Sequence, residues 1–203
     1  MSARATIAVW AGKFTTKLLR LAGSGGTSLP GKVVLKICPD ILGHLAKDVK
    51  IICVTGTNGK TTTCHIIRDM IEAEGKTVFC NDAGANLLGG VVSAFVGAAT
   101  LGGKINTDYA LLECDEAALK SIVEHFGRLD VTAVVTNVFR DQLDRYGEVL
   151  TTVNKIRAGL SQLPNVKLVL NADCSLTSSL SDLSHSEIHY FGVNGPLYEG
   201  TSS

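Results

Sequence analysis

The segment Thr55-Gly56-Thr57-Asn58-Gly59-Lys60-Thr61-Thr62 follows the hydrophobic run Val49 to Thr55 and precedes an amphipathic helical pattern. Glycine residues let the backbone wrap around a phosphate, and the N–H groups at the start of a helix point toward it. Lys60 would neutralise charge on the β- and γ-phosphates, and the Thr61 hydroxyl would reach a Mg²⁺ ion that bridges them. The segment therefore predicts a nucleotide-binding loop.

The spacing of this loop departs from that of the usual P-loop. A P-loop has a longer interval between its first glycine and its Gly-Lys pair, whereas Gly56 and Gly59 bracket only two residues. The alternative interpretation is a tight strand-to-helix turn with a solvated lysine. The strand before the loop and the helix after it favour phosphate binding.

Short β-rich runs alternate with helical patterns along the rest of the chain. The predicted strands cover residues 49–55, 77–81, 108–114, 131–136 and 166–171. Helical periodicity is clear in the apolar residues Ile66, Ile67, Met70 and Ile71, and again from Val149 to Leu163. This alternation predicts an α/β fold of the P-loop type, with a mostly parallel sheet and helices on both faces.

The first 48 residues have a different character, with a helical stretch from about Ala8 to Leu21 and a Gly/Ser run at 23–27. We expect residues 1–48 to form an N-terminal helical extension that leads into an ATP-binding sheet domain at 49–203. Residues 193–203 are rich in Gly, Pro and Ser and contain no terminating element. The sheet domain is therefore expected to be C-terminally truncated, and the sequence to be part of a longer protein.

Composition excludes several classes of protein. The 203 residues contain 19 basic and 19 acidic side chains, so the net charge gives no support for nucleic-acid binding. The six cysteines are widely spaced without a C-x-x-C pair, as expected of reduced thiols in a cytoplasmic protein. The uncharged run Ala83 to Gly103 is too rich in glycine for a transmembrane segment, and we expect a glycine-rich loop followed by a buried helix.

Acidic side chains follow the third predicted strand. Glu113 lies at its carboxyl end, where open α/β sheets gather their ligand sites, and a carboxylate there can hold a metal ion. For Asp115 and Glu116 we expect capping and dipole compensation at a helix N-terminus rather than metal binding.

A polar run, T-N-V-F-R-D-Q-L-D-R-Y-G at 136–147, follows the fourth predicted strand. It would lie at the same edge of the sheet as the phosphate loop, where a second substrate could bind. The alternative is a surface loop with local ion pairs among Arg140, Asp141, Asp144 and Arg145. Spacing alone does not decide between them.

Four motifs in this order resemble the central ATPase domain of the Mur ligases, the ATP-dependent amide-forming enzymes of peptidoglycan synthesis in cell-wall biogenesis. The motifs are T-G-T-N-G-K-T-T at 55–62, the strand-ending Glu113, the 136–147 run and L-N-A-D at 170–173. Within that family, G-G-T-S-L-P-G-K at 25–32, K-I-C-P-D-I-L at 36–42 and D-Q-L-D-R-Y-G are similar to the branch that amidates lipid II.

The resemblance implies a role for each matching residue. Lys60 and Glu113 would be the catalytic residues, and Thr61 and Glu113 would hold Mg²⁺. Asn171 and Asp173 match the family segment near the adenine and ribose. The residues that would cradle the ATP phosphates are Gly56, Thr57, Asn58, Gly59, Lys60, Thr61 and Thr62.

Two positions depart from the family pattern. Gln142 stands where most members have histidine, and an amide is a weaker metal ligand than an imidazole, so the family's pattern for a second Mg²⁺ is not met at this position. Lys155 lies one residue from the place of a lysine that the family often carbamylates, where this chain has Ile156, and is interpreted as a surface lysine.

The resemblance also implies a reaction. ATP would convert the D-glutamate α-carboxylate of the lipid II stem peptide to an acyl phosphate, and ammonia from a GatD-like glutamine amidotransferase subunit would give D-isoglutamine. The enzyme would be cytoplasmic and act at the inner face of the membrane. Relatives continue with a four-cysteine Zn²⁺ ribbon and a C-terminal domain. Because this chain has no cysteine after Cys174, we expect it to bind ATP and not to amidate alone.

Two other functions stay open. An amino-acid-adding Mur ligase or a folylpolyglutamate synthase would use an amine in place of ammonia, and would need no amidotransferase. A non-catalytic nucleotide-binding interaction module would bind ATP without depending on Glu113.

Overall fold

A six-stranded parallel sheet forms the centre of the molecule, with strand order β2-β3-β1-β4-β5-β6 in the computed structural model. The structure describes residues 2–23, 27–81, 84–139, 147–183 and 187–193. The strands are β1 (Lys50–Thr55), β2 (Val78–Cys80), β3 (Tyr109–Glu113), β4 (Val131–Val135), β5 (Lys167–Asn171) and β6 (Ile188–Phe191). The predicted α/β fold with a parallel sheet is confirmed. Strand β6, which is short and exposed along most of its length, was not predicted.

The helices are α1 (Ala3–Leu21), α2 (Leu29–Ile37), α3 (Ile41–Leu45), α4 (Lys60–Ala73), α5 (Leu88–Ala98), α6 (Leu119–Val123), α7 (Gly147–Leu160) and α8 (Ser175–Ser178). Short 3₁₀ turns follow α3 and α8. The buried helix expected after the glycine-rich run is α5, whose Val91, Val92 and Phe95 are fully buried. Among the described residues, no helix combines the length and the apolar character needed to cross a membrane.

The two faces of the sheet are covered unequally. Alternate residues of β1 point to opposite faces, so Ile51 and Cys53 join the large core while Val54 joins a small cluster. Residues of α1–α3 and α5–α7 pack in the large core. In the described part of the chain, the small cluster contains α4 alone among the helices, through Cys64 and Ile67. Helices on both faces are therefore confirmed.

This unequal cover explains two helical stripes that are only partly buried. On α4, Ile66 and Met70 are 55% and 64% exposed, because they lie beyond the small cluster that buries Cys64. On α7, Leu150 is exposed while Val153 and Ile156 are buried. Periodicity thus located both helices correctly but not how much of each apolar face is covered.

The N-terminal residues pack into the same core as the sheet. Ala5 and Ala8 of α1 and Val34 of α2 have no exposed surface, and α1 and α2 both lie against α5. Residues 29–37 are helical rather than a simple lead-in. The division of the chain at residue 48 stays a prediction.

Candidate functional site

The carboxyl ends of β1, β3 and β4 lie side by side, and the predicted site residues follow them. The pairings β1–β3 and β1–β4 bring Val54 beside Glu113 and Thr55 beside Val135. Because all three strands are parallel, the loops that leave them share one edge of the sheet. Strand order therefore brings the phosphate loop, Glu113 and the beginning of the 136–147 run together.

The phosphate loop turns sharply at two glycines with left-handed backbone. Gly56 has φ +124° and Gly59 has φ +80°, and the first N–H to bond back within α4 is that of Thr63, to the Gly59 carbonyl. A Cβ atom on Gly56 would come within 2.4 Å of Thr136 Oγ1 and 2.7 Å of the Asn137 carbonyl. Glycine at 56 is therefore required by both conformation and space.

Thr136 and Asn137, which directly follow β4, form hydrogen bonds with the phosphate loop. The N–H of Thr57 donates to the Asn137 carbonyl at 2.9 Å, and the N–H of Asn58 donates to Asn137 Oδ1 at 3.0 Å. Thr136 Oγ1 and Asn137 Nδ2 both donate to the Asn58 carbonyl, at 2.8 and 3.0 Å. The 136–147 run thus begins as a structural partner of the loop, a role the sequence did not predict.

The backbone N–H groups of Thr57 and Asn58 therefore already donate hydrogen bonds within the protein, to Asn137. The first N–H groups of α4 have no partner within the helix, because an α-helix leaves its first four donors unpaired. Together with the partial positive charge at the helix N-terminus, these donors favour an anion. A phosphate would therefore be bound mainly by the N–H groups at the beginning of α4, and less by the N–H groups of the short loop.

The Lys60 ammonium lies across this loop. Its Nζ donates to the carbonyls of Gly56 and Thr57 and forms an ion pair with Glu116 Oε1 at 3.0 Å. The two side chains of the ion pair are only 13% and 16% exposed. Glu116, which was expected to compensate a helix dipole, instead forms an ion pair with the lysine of the phosphate loop. Asp115 accepts the Ala117 N–H at 2.9 Å, as a turn-capping side chain does.

Thr61 and Glu113, the predicted metal ligands, are in direct contact. Thr61 Oγ1 donates to Glu113 Oε2 at 2.8 Å, and Glu113 is 8% exposed. Among the described ion pairs, none neutralises this carboxylate. A buried carboxylate without a cation, beside a hydroxyl, fits Mg²⁺, which uses one or two carboxylates together with phosphate and water oxygens. Within the described ranges, no group of three or more His, Cys, Asp or Glu side chains is arranged to hold a metal ion.

Asn81 fixes the backbone of Glu113. Its Nδ2 donates to the carbonyls of Glu113 and Ala85, both at 2.9 Å, and its Oδ1 accepts the Glu113 N–H at 2.8 Å. Asn81 is 8% exposed. This residue was missed in the sequence, where it was only the last residue of a predicted strand, although a polar residue at a strand's carboxyl end was a usable signal.

A cavity of about 210 Å³ lies next to Glu113, between α4 and the ends of β2 and β3. His65 and Arg68 of α4 line it together with Thr61 and Glu113. Burial, and then the nearby Glu113 carboxylate, raises the pKa of Cys64 in the same wall to about 12. The thiol is therefore protonated at neutral pH and is not a nucleophile.

Asn171 and Asp173 lie at the end of β5, on the far side of β4 from Glu113. Asn171 Nδ2 donates to the Thr136 carbonyl at 2.9 Å, and its Oδ1 accepts the Asp173 N–H at 2.9 Å. Asp173 is exposed and accepts the Val193 N–H at 2.8 Å. Through Thr136, this pair is connected to the phosphate loop.

Some predicted positions lie outside the described residues, and others lie away from the phosphate loop. Gln142 and the proposed ion pairs of residues 140–145 lie outside the described residues. Lys155 is exposed on α7, whereas Ile156 is fully buried. The six cysteines are free, and all but Cys80 are buried.

Comparison with known proteins gives both a family and a fold. Residues 54–200 match the Mur ligase middle domain. The chain is 38% identical over 176 residues to the MurT subunit of lipid II isoglutaminyl synthase (glutamine-hydrolyzing) from Streptococcus pneumoniae, covering 87% of this chain and 38% of that protein. Identity to the Staphylococcus aureus (strain COL) MurT subunit is 37% over 196 residues, covering 95% of this chain and 42% of that protein. The chain thus spans about two fifths of the length of these relatives.

Solved structures agree with the fold. MurF from Acinetobacter baumannii superposes with a TM-score of 0.65 at 16% identity, covering 85% of this chain and 36% of that one. MurF from Thermotoga maritima in complex with ADP superposes with a TM-score of 0.60, also at 16% identity, over 80% of this chain and 37% of that one. At these identities the similarity concerns the fold alone.

Proposed function

The chain belongs to the Mur ligase family, and we propose that it is the ATP-binding part of an enzyme that amidates the D-glutamate α-carboxylate of the lipid II stem peptide. The observation that carries the proposal is the contact of Thr61 with the buried Glu113 carboxylate beside the Lys60 loop. The 37–38% identity to two MurT subunits, over most of this chain, supports the substrate class.

The proposed reaction has two steps. An oxygen of the glutamate carboxylate attacks the γ-phosphorus of ATP, which gives an acyl phosphate and releases ADP. Ammonia then attacks the acyl carbon, phosphate leaves, and the nitrogen loses a proton to give D-isoglutamine. A GatD-like glutamine amidotransferase subunit would release the ammonia by hydrolysing glutamine.

The residues of the site have distinct roles in this proposal. The N–H groups at the start of α4 would bind phosphate oxygens, and Lys60 would stabilise the charge that builds up on the transferred phosphoryl group. Thr61 and Glu113 would hold Mg²⁺, which neutralises phosphate charge when bound. Asn81 would keep Glu113 in place through two hydrogen bonds to the Glu113 backbone, and a third bond ties Asn81 to the Ala85 carbonyl.

The cavity beside Glu113 offers a place for the reacting carboxylate. It opens next to the predicted metal ligands, and in its wall the Arg68 guanidinium can provide positive charge and His65 a hydrogen-bonding ring for an acid. Arg68 also contacts the neighbouring Asp69 at 3.1 Å. Asn171 and Asp173, on the other side of β4, are left for the adenosine end of ATP, as the family resemblance implies.

Calorimetry of ATP binding tests the proposal. We expect binding that requires Mg²⁺, falls by at least about tenfold in Lys60→Ala, and loses its Mg²⁺ dependence in Glu113→Ala. Lys104→Ala, which removes an exposed lysine outside the site, is the matched control and should bind as the unmodified chain does. Equal binding by all four proteins would contradict the proposal, and so would binding indifferent to Glu113, as expected of an interaction module.

The reaction itself is assayed by mass spectrometry of lipid II after incubation with the full-length protein. We expect the carboxylate to become a carboxamide with ammonium ion as the nitrogen donor, and with glutamine only when the amidotransferase is present. Consumption of an amino acid in place of ammonia would instead indicate an amino-acid-adding ligase or a folylpolyglutamate synthase-like enzyme.

A further inference from the structure

Helix α1 carries a second apolar face that nothing in the described chain covers. Its buried residues, Ala5, Ala8, Val9 and Gly12, pack toward the protein. The opposite side carries large apolar side chains at intervals of three and four residues, so they form one line along the helix. These residues, called here the α1 stripe, are Ile7 (58% exposed), Trp10 (56%), Phe14 (63%), Leu18 (50%) and Leu21 (78%).

The α1 stripe runs from Ile7 to Leu21 of a 19-residue helix, a length of about 21 Å. Trp10 Nε1 donates to the Leu101 carbonyl at 2.9 Å, and Leu101 is itself 63% exposed, so the apolar surface continues onto the loop after α5. Scattered exposed apolar residues need no explanation, but a continuous line of five indicates a contact surface.

The N-terminal segment that contains the stripe carries only basic charged side chains. The first 39 residues contain Arg4, Lys13, Lys17, Arg20, Lys32 and Lys36, and the first acidic residue is Asp40. Arg4, Lys17 and Arg20 are exposed on α1 itself. The chain is therefore neutral overall, but its N-terminal region is positively charged.

The positive charge beside the stripe favours some partners over others. A second copy of the chain would place two positive regions face to face, which is unfavourable. A lipid surface that carries negative charge suits both features, because interfacial helices combine Trp, Phe and Leu on one face with Lys and Arg beside it.

We propose that the α1 stripe binds the surface of an anionic membrane, with α1 lying parallel to the bilayer and its apolar side chains inserted among the lipid headgroups. Lys17 and Arg20 would contact lipid phosphates from the edge of the stripe. The opposite face of α1 would stay packed on α2 and α5, so the whole fold would be held against the membrane. The proposal does not depend on the function proposed above.

The single tryptophan of the chain makes this testable, because Trp10 belongs to the stripe. Purified protein without nucleotide is mixed with vesicles of equal parts phosphatidylglycerol and phosphatidylcholine, or of phosphatidylcholine alone. We expect sedimentation with the anionic vesicles only, a blue shift of Trp10 emission, and release at high salt.

Variants on the two exposed apolar helix faces provide the control. The double variant Phe14→Gln/Leu18→Gln should lower the partition coefficient at least about tenfold. Ile66→Gln/Met70→Gln removes two comparably exposed side chains from α4 and should bind as the unmodified chain does. Circular dichroism checks that both fold, and Lys17→Glu/Arg20→Glu should weaken binding without removing apolar surface.

Three results would overturn the proposal. The unmodified chain could leave Trp10 emission unchanged with anionic vesicles, or the stripe and α4 variants could lose binding equally. The stripe variant could also dissolve a dimer or a protein complex while neither protein binds vesicles, which would assign the stripe to a protein partner. Because no ATP is present, each result is independent of the outcome of the calorimetry.

Discussion

Substitution of Glu116 by glutamine should tighten ATP binding and weaken the fold at the same time. Lys60 Nζ and Glu116 Oε1 lie 3.0 Å apart, and both side chains are largely shielded from water. A phosphate that approaches Lys60 must therefore either displace the Glu116 carboxylate or be repelled by it. Glu116→Gln removes that competition and keeps the size of the side chain.

The structure sets the magnitude of this effect. At 3.0 Å and an effective dielectric constant of about 20, the attraction between the two charges is roughly 5 kcal/mol before desolvation. Desolvation offsets most of it, and for a partly exposed pair we expect a net contribution of about 1–2 kcal/mol. Release of Lys60 from the pair should then lower the Kd for Mg-ATP by about 5- to 30-fold.

Calorimetry and urea denaturation measure the two effects. We expect a lower Kd for ATP and a free energy of unfolding, without nucleotide, reduced by about 1–2 kcal/mol. Asp182→Asn is the control, since it removes the same charge from an exposed ion pair with Arg157 and should not change the Kd. Weaker Mg²⁺-dependent binding in Glu116→Gln would refute the reasoning and would indicate that Glu116 is a metal ligand.

Other substitutions test the framework of the site. Asn81→Ala should lower the free energy of unfolding by about 2–4 kcal/mol in urea denaturation, because buried backbone groups of Glu113 lose their partners; an unchanged midpoint would contradict this. Gly56→Ala should abolish ATP binding in calorimetry, since its Cβ would clash with the chain that follows β4 and its φ is +124°; retained affinity would show that the loop can move. Asp108→Asn should destabilise the fold at neutral pH, because hydrogen bonds from the Thr77 N–H and hydroxyl lower the pKa of Asp108 below 3.8. That contribution is present above pH 3.8 and is lost as the pH falls through the lowered pKa, so the variant and the unmodified chain should converge in acid.

The local sequence pattern was sufficient to predict the strands and most of the helices, but it did not predict the order of the strands in the sheet. Each predicted strand appears within one residue of its observed bounds at either end, because short apolar runs between Gly, Asn and Pro are unambiguous. The order β2-β3-β1-β4-β5-β6 depends on which surfaces pack together, and no spacing along the chain encodes it. Strand β6 was missed because Ile188 to Phe191 is too short and too exposed to show a core pattern.

In the candidate site, too, residues within a local motif could be predicted, whereas contacts between distant segments could not. Lys60, Thr61 and Glu113 were predicted as site residues from motif and position, and the structure places Thr61 and Glu113 in contact. Their roles stay predictions. The contacts of Glu116 with Lys60 and of Asn81 with Glu113 were not predicted, since the partners lie 56 and 32 residues apart in sequence. Such partners become visible only when parallel strands align their carboxyl ends.

The hydrogen bonds of Asn137 give a physical reason to expect that a loop with only two residues between Gly56 and Gly59 would still bind a phosphate. In a longer loop, interior N–H groups surround the anion. Here the N–H groups of Thr57 and Asn58 are bonded to Asn137, and the bonds fix the backbone that leads into α4. The loop therefore gives up two donors and gains a rigid connection to β4, which positions the unpaired N–H groups of α4. Since ordering a loop costs binding free energy, a loop that the protein itself already orders retains affinity with fewer contacts. Through these bonds Thr136 and Asn137 form one structural unit with the predicted phosphate loop, although 79 residues separate Asn58 from Asn137 along the chain.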